Sequence, residues 1–272
     1  MDALPSNTTP YAGGKMLAAA AGGVGVITFN QPEKRNAMSV EMWTGLAEIL
    51  DGFAADPGLR VVVLTGAGDK AFVSGADISQ FEQQRGNAEA QKEYDRLTSI
   101  GREKLAGFAK PVIARIRGFC MGGGLGIAMQ ADLRIASTNS QFGIPAAKLG
   151  ISYGFTTMRR LVALVGPAHA RMLVYTGNRI DAAEASRIGL INEAVAPEAL
   201  DARVMDIART IAGNAPLSVA SMKFTVTEAT RAESEMDTAA ITRSIATCFD
   251  SADYREGRAA FMEKRKPVFT GR

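Results

Sequence analysis

Hydrophobic positions along the chain change their period several times, and each change predicts an element. In KMLAAAAGGVGVITFN two short apolar runs are split by Gly22 and Gly23, the pattern of a hairpin ending at Asn30. Behind Ser39, a residue suited to an N-cap, Met42, Trp43, Leu46, Ile49, Leu50 and Phe53 recur at helical spacing and predict an amphipathic helix from Val40 to Ala54. Arg60 to Thr65, RVVVLT, is instead continuously apolar, as in a strand buried on both faces. PVIARIR predicts another strand through Val112, Ile113 and Ile116, and DLRIAS a third. Between them lies GFCMGGGLGIAMQAD, with three consecutive glycines between a strand end and a helix start. QFGIPAAKLGISYGF is irregular, TTMRRLVALVG predicts a helix from near Thr156, and Pro167 to Tyr175 a further one. From Pro197 to Lys266 nearly everything has helical period. Strands alternating with helices, followed by helices alone, give an α/β core carrying a helical C-terminal part. Met1 to Gly14, rich in Pro, Gly, Ser, Thr and Asn, is expected to be a loose leader. The expected divisions are a flexible leader at 1–15, a core at 16–197 and a helical region at 198–272.

Composition narrows the function classes. A net charge of +3 over 272 residues, with no long basic run and no aromatic residues interleaved with basic ones, gives no nucleic-acid surface. Two cysteines, Cys120 and Cys248, without CxxC spacing, argue against a disulfide framework and a zinc site, and suit a reducing cytoplasm. No apolar run approaches the roughly 20 residues of a membrane span, and no basic region followed by a hydrophobic segment marks export. His169, the one histidine, lies in PAHARMLVY, where a structural role is expected. A Ser-His-Asp triad is therefore excluded, although Ser74 stands beside Gly75.

Two glycine-bearing turns carry the candidate chemistry. SGADIS and GGGLG each follow a predicted strand, and turns without Cβ atoms let another molecule approach backbone N–H groups closely. Such groups suit an oxygen that becomes negative. A phosphate loop fits less well, because no Lys-Ser/Thr follows and GGGLG is not GxGxxG. Asp77 and Asp132 each follow a glycine-turn segment and are read as structural acceptors.

EKRNAMS, AFVSGADISQF, PVIARIRGFCMGGGLGIAMQADLRIAS, FGIPAAKLGIS, TGNRIDAAEASRIGLIN and EKRKPVFTGR occur in the order and spacing of a known family. From about Val24 to Arg272 the chain resembles the crotonase (enoyl-CoA hydratase/isomerase) superfamily. The resemblance implies a spiral of ββα units with a helical C-terminal region that builds trimers or dimers of trimers. It also implies an acyl-CoA thioester as substrate, with no cofactor beyond the coenzyme A of that substrate. The enolate oxygen would be held by the N–H groups of Ala76 and Gly123. Coenzyme A would be bound by Lys34, Arg35 and Ala37, by Ala76, Asp77 and Ile78, and by Lys264 or Lys266 of the tail.

The departures from the family pattern matter as much. Its hydratases carry two glutamates that activate water; the corresponding positions here are Gly126 and Ala146, and neither side chain moves a proton. In family members with other chemistry a polar residue after the LG pair takes part, which is Tyr153 in KLGISYGF; Ser152 and Lys148 are weaker candidates. The favoured expectation is an enolate-forming enzyme that decarboxylates, makes or breaks a C–C bond, or hydrates weakly. The alternatives are a hydratase or isomerase drawing its acid and base from Glu82 or Glu89, and an acyl-CoA binder without turnover.

Overall fold

The computed structural model describes residues 4–5, 7–77 and 88–272. In chain order the strands and helices are β1 (Thr9–Tyr11), β2 (Met16–Ala21), β3 (Val24–Phe29), α1 (Val40–Ala55), β4 (Val61–Gly66), β5 (Ala71–Val73), α2 (Ala88–Ala106), β6 (Val112–Ile116), β7 (Phe119–Met121) and α3 (Gly123–Ala128). There follow β8 (Leu133–Ser137), β9 (Gln141–Gly143), a 3-10 turn at Pro145–Leu149, α4 (Phe155–Thr176), β10 (Ile180–Asp181), α5 (Ala182–Arg187) and β11 (Glu193–Val195). Four helices finish the chain: α6 (Leu200–Gly213), α7 (Pro216–Glu228), α8 (Thr238–Asp250) and α9 (Ala252–Met262).

The strands form two sheets, one of seven in the order β1-β2-β3-β4-β6-β8-β11 and one of four in the order β10-β9-β7-β5. β3, β4, β6, β8 and β11 run parallel in the large sheet, and β5, β7 and β9 run parallel in the small one. The chain thus passes from a strand of the large sheet to one of the small sheet and then through a helix or tight turn, three times over. This is the expected spiral of ββα units.

The continuous apolar run at 61–64 is explained by what covers it. Successive side chains on a strand point to opposite faces. Val62, Leu64, Val112, Ala114 and Ile116 enter the main core with α1 and the small sheet. Val24, Val26, Val61, Val63, Ile113 and Ile135 enter a second cluster under Leu200, Val204, Met205 and Ala208 of α6. Both faces of the parallel strands are therefore dry, and the first helix beyond residue 197 belongs to the packing of the core.

Three expectations are corrected. Thr9–Tyr11, placed in the loose leader, is an edge strand paired antiparallel with β2, its partner positions running from Thr9 opposite Ala18 to Tyr11 opposite Met16. Its pairing uses main-chain groups, and an edge tolerates the proline that made the stretch look irregular. The glycines at 122–124 do not directly follow the strand at 112–116, because β7 intervenes, too short for an alternating pattern to register. The stretch read as irregular contains β9 and the turn at 145–149. The helix pair expected around Pro167 is found, broken at Gly166, whose φ of 72° and ψ of 165° leave the helical region.

Candidate active site

The first turn is organised by Asn36. It is fully buried and left-handed, with φ 57°. Its Nδ2 donates to the carbonyls of Ala67 (2.9 Å) and Ala71 (2.8 Å), and its Oδ1 accepts from the N–H of Gln31 (3.0 Å). Asparagine tolerates this conformation better than most residues and satisfies groups that the bend strips from the sheets. Gly66 must be glycine for the same packing: a Cβ there would lie 2.3 Å from the carbonyl oxygens of both Ala71 and Phe72.

This turn is stitched to the SGAD turn. The N–H of Ser74 donates to the carbonyl of Arg35 (3.1 Å), that of Met38 to Gly75 (2.8 Å) and that of Asp77 to Met38 (2.9 Å). The Gly75 carbonyl is thereby held toward Met38, and in a planar trans peptide the next N–H points the opposite way. That N–H belongs to Ala76. Among the described residues neither it nor the N–H of Gly123 donates to a protein acceptor.

Gly123 is the first residue of α3, where backbone N–H groups have no partner within the helix. A Cβ built on it would lie 3.8 Å from the Ala76 nitrogen, so the two predicted donors stand close to one another. Tyr153 reaches the same place. Its hydroxyl is 3.2 Å from where a Gly122 Cβ would be, and the ring packs against the main core. The two positions lacking a glutamate differ in setting. A Cβ on Gly126 would meet nothing within 4 Å, whereas Ala146 is buried.

Among the predicted coenzyme A residues, Lys34 Nζ donates to Asp77 Oδ2 at 2.7 Å, and the charge and hydrogen bond of Asp77 raise the pKa of the ammonium. Asp77 is thus an ion-pair partner as well as a turn residue. Arg35 has φ 53° and lays its guanidinium 5.5 Å from the centre of the Phe119 ring, with Arg179 at 5.4 Å from the same ring. The carbonyl of Ala37 accepts from Gln31 Nε2 (3.0 Å), inside the turn. Pro32, Arg35, Asn36, Gly68 and Ala71 help to line a pocket of about 290 Å³ beside it. Lys264 and Lys266 are exposed in the tail and form no ion pair among the described residues. Ile78 and Glu82 lie outside the described residues, and Glu89 is exposed at the start of α2.

The remaining polar and titratable groups named from the sequence are placed as follows. Asp132 accepts from the Val112 N–H (2.7 Å) and Lys223 Nζ (2.8 Å). Ser74 Oγ donates to the Lys34 carbonyl at 3.4 Å, and His169 sits on α4 beyond the break at Gly166. Cys120 is fully buried, and burial pushes its thiol pKa up. A roomier pocket, about 560 Å³, lies between Phe108 and Phe224 and holds none of the predicted site residues. The described residues contain no cluster able to hold a metal ion and no helix long and apolar enough to cross a membrane. Sequence reasoning missed Asn36 and the Phe119 stack; an asparagine straight after a Pro-Glu-Lys turn was the one available signal for the first.

The enoyl-CoA hydratase/isomerase family model matches residues 19–272. The chain belongs to the crotonase (enoyl-CoA hydratase/isomerase) superfamily. It is 37% identical to a short-chain-enoyl-CoA hydratase of Clostridium acetobutylicum over 245 residues, covering 90% of this chain and 93% of the relative. It is 38% identical to a crotonyl-CoA hydratase of Syntrophomonas wolfei over 244 residues, with the same coverage. Among solved structures, an enoyl-CoA hydratase/carnithine racemase from Magnetospirillum magneticum superposes with a TM-score of 0.91 at 36% identity, covering 95% of this chain and 96% of that one. In this crotonase-superfamily chain, then, two glycine turns bring two unpaired N–H groups and one phenol together.

Proposed function

We propose that this protein acts on an acyl-CoA thioester through an enolate held by the N–H groups of Ala76 and Gly123, with Tyr153 as the proton donor. The observation that carries the reading is the pairing of those two unpartnered N–H groups with a site whose glutamate positions are Gly126 and Ala146. Two aimed donors stabilise a developing enolate by about 3–4 kcal/mol each. Such an enolate forms when a nucleophile adds at the β carbon of an enoyl thioester, or when a bond at the α carbon breaks and leaves its electrons there. Without the glutamate pair, cleavage of a C–C bond is better suited than removal of a proton by a carboxylate.

Decarboxylation of a malonyl-type thioester is the concrete case. The bond between the α carbon and the carboxylate breaks, its electron pair moves onto the thioester oxygen as enolate, and carbon dioxide leaves. The enolate then takes a proton at the α carbon from the Tyr153 phenol, which solvent replenishes. The substrate supplies the only coenzyme required. Unpaired thiols suit a cytoplasmic setting, and homotrimers or dimers of trimers would cover the apolar side chains left exposed on the last helices.

A second reading, hydration with a relocated acid and base, is favoured by the hydratase names of relatives 37–38% identical over nine-tenths of the chain. Assaying malonyl-type thioesters beside crotonyl-CoA separates the two. The first reading expects carbon dioxide release that drops by about 10²-fold or more in Tyr153→Phe, the usual scale of a general acid. Fast hydration of crotonyl-CoA by the unaltered protein, with no carbon dioxide release, would leave only the second.

A further inference from the structure

We infer that the Lys34–Asp77 ion pair is a positioning device for the Ala76 N–H, so that Lys34 serves the enolate-binding turn and not a coenzyme A phosphate. The inference rests on the reading of Ala76 as an enolate donor.

Ala76 has no side-chain anchor of its own and must be aimed by its neighbours. On one side, Met38 grips the Gly75 carbonyl at 2.8 Å; on the other, Met38 accepts the Asp77 N–H at 2.9 Å. These bonds set the plane of the turn, but Gly75 sits at φ 126°, a conformation with no side chain to restrain it. What stops the turn from swinging is the Asp77 side chain. It is 8% exposed and bonded to Lys34 Nζ at 2.7 Å, and Lys34 closes the 3-10 turn that also receives Ser74. A carboxylate so buried is costly unless a cation stays with it.

The position of Lys34 agrees. Its ammonium donates its bond inward to Asp77, although its side chain is 46% exposed and has room to extend outward. Removing the cation takes this ion pair from a nearly buried carboxylate next to the donor residue, and a donor displaced by about 1 Å loses on the order of 10²-fold in effect.

Acetoacetyl-CoA tests this without knowledge of the natural substrate, because its enolate absorbs in the near ultraviolet and, at a pH where the free thioester is mostly un-ionised, is enriched where donors stabilise it. Binding of free coenzyme A, followed by calorimetry, reports the phosphate contacts separately. In the unaltered protein the enolate band is expected to appear on binding. In Lys34→Met it is expected to fall about tenfold or more while the dissociation constant for free coenzyme A stays within about twofold. Lys34→Arg, which keeps a cation beside Asp77, is expected to recover most of the band, and thermal melts of each variant exclude unfolding as the cause. The inference is overturned if Lys34→Met keeps the full band, or if it weakens free coenzyme A as much as it weakens the enolate. A different failure, no enolate band in the unaltered protein despite tight binding, overturns the assignment of Ala76 and Gly123 as donors and this inference with it.

Discussion

At Gly122 the backbone has φ 52° and ψ −118°, a combination closed to residues with a Cβ. Gly123 opens α3, and a Cβ on it would lie 3.8 Å from the Ala76 nitrogen. Gly124 is different again: a Cβ there would lie 2.0 Å from the carbonyl oxygen of Val73, so α3 is pressed directly onto β5. Gly126, two residues on, faces open space while its N–H donates along the helix to Gly122 (3.0 Å). Two substitutions therefore have opposite outcomes. Gly124→Ala is expected to destabilise by about 3 kcal/mol, the upper range for overpacking, because the obstacle is main chain that cannot rotate away. Gly126→Ala is expected to stabilise by about 0.5–1 kcal/mol through helix propensity. Urea denaturation midpoints measure both, and a tolerated Gly124→Ala would contradict the close contact. That a turn lay at 122–124 was legible in the sequence, as was its resemblance to a donor site. The separate reason for each glycine was not, because a clash with Val73 is a distance between segments some fifty residues apart along the chain. Asn36 was hidden for the same reason, its three hydrogen bonds being invisible to any local pattern.

The long elements declared themselves by period. The helix expected at Val40 to Ala54 is found at Val40–Ala55, although Ser39 Oγ turns to the Glu41 carboxylate (2.6 Å) and makes no capping bond. The strands β5, β7 and β9 escaped or blurred because three residues carry too little alternation. The C-terminal tail was read as a family motif offering Lys264 or Lys266 to coenzyme A; its role as a strap on α9 was not visible. The Asp253 carboxylate accepts from the N–H groups of Thr270 (2.7 Å) and Gly271 (2.8 Å), and Glu256 accepts from Arg265 Nη1 (2.6 Å) and the Val268 N–H (2.8 Å). Arg265 and the Val268 N–H hold the Glu256 pKa down, from 4.5 to about 2. A carboxyl whose pKa falls on folding stabilises the native state fully above its unfolded value and loses that contribution as pH drops toward the folded one. The difference in Tm between the unaltered protein and Glu256→Gln should accordingly be constant above about pH 5.5, shrink as the pH falls through 4.5, and vanish near 2. Because the partner Arg265 is 41% exposed, the plateau difference is expected to be small. A difference independent of pH would mean that the strap does not use this charge.

On the scale of the whole molecule, the order of strands and helices along the chain was enough to announce an α/β core, and the motifs to announce the spiral. The passage from core to helical region was less legible, because α6 has the same helical period as the helices after it while packing under the large sheet. Those later helices leave apolar side chains in water. Met222 and Val226, four residues apart on α7, are 60% and 67% exposed; Ile245 and Phe249, four apart on α8, are 45% and 60% exposed. Phe261 and Met262 at the end of α9 are 83% and 80% exposed. Residues four apart share a helix face, so these are stripes and not scattered positions. Exposed stripes of this kind mark surfaces that bury themselves against another molecule, which is the basis for proposing a trimer or hexamer. Burying one such side chain contributes about 1.5–3 kcal/mol. Replacing Phe261 and Met262 together by aspartate is then expected to weaken self-association by about a hundredfold or more. Light scattering behind size exclusion should report a trimer or hexamer for the unaltered protein and a shift toward monomer for the double variant, with the far-ultraviolet circular dichroism retained. An unaltered protein that is monomeric at micromolar concentration would overturn the proposed assembly, and a double variant of unchanged oligomeric mass would place its contact elsewhere than on α9.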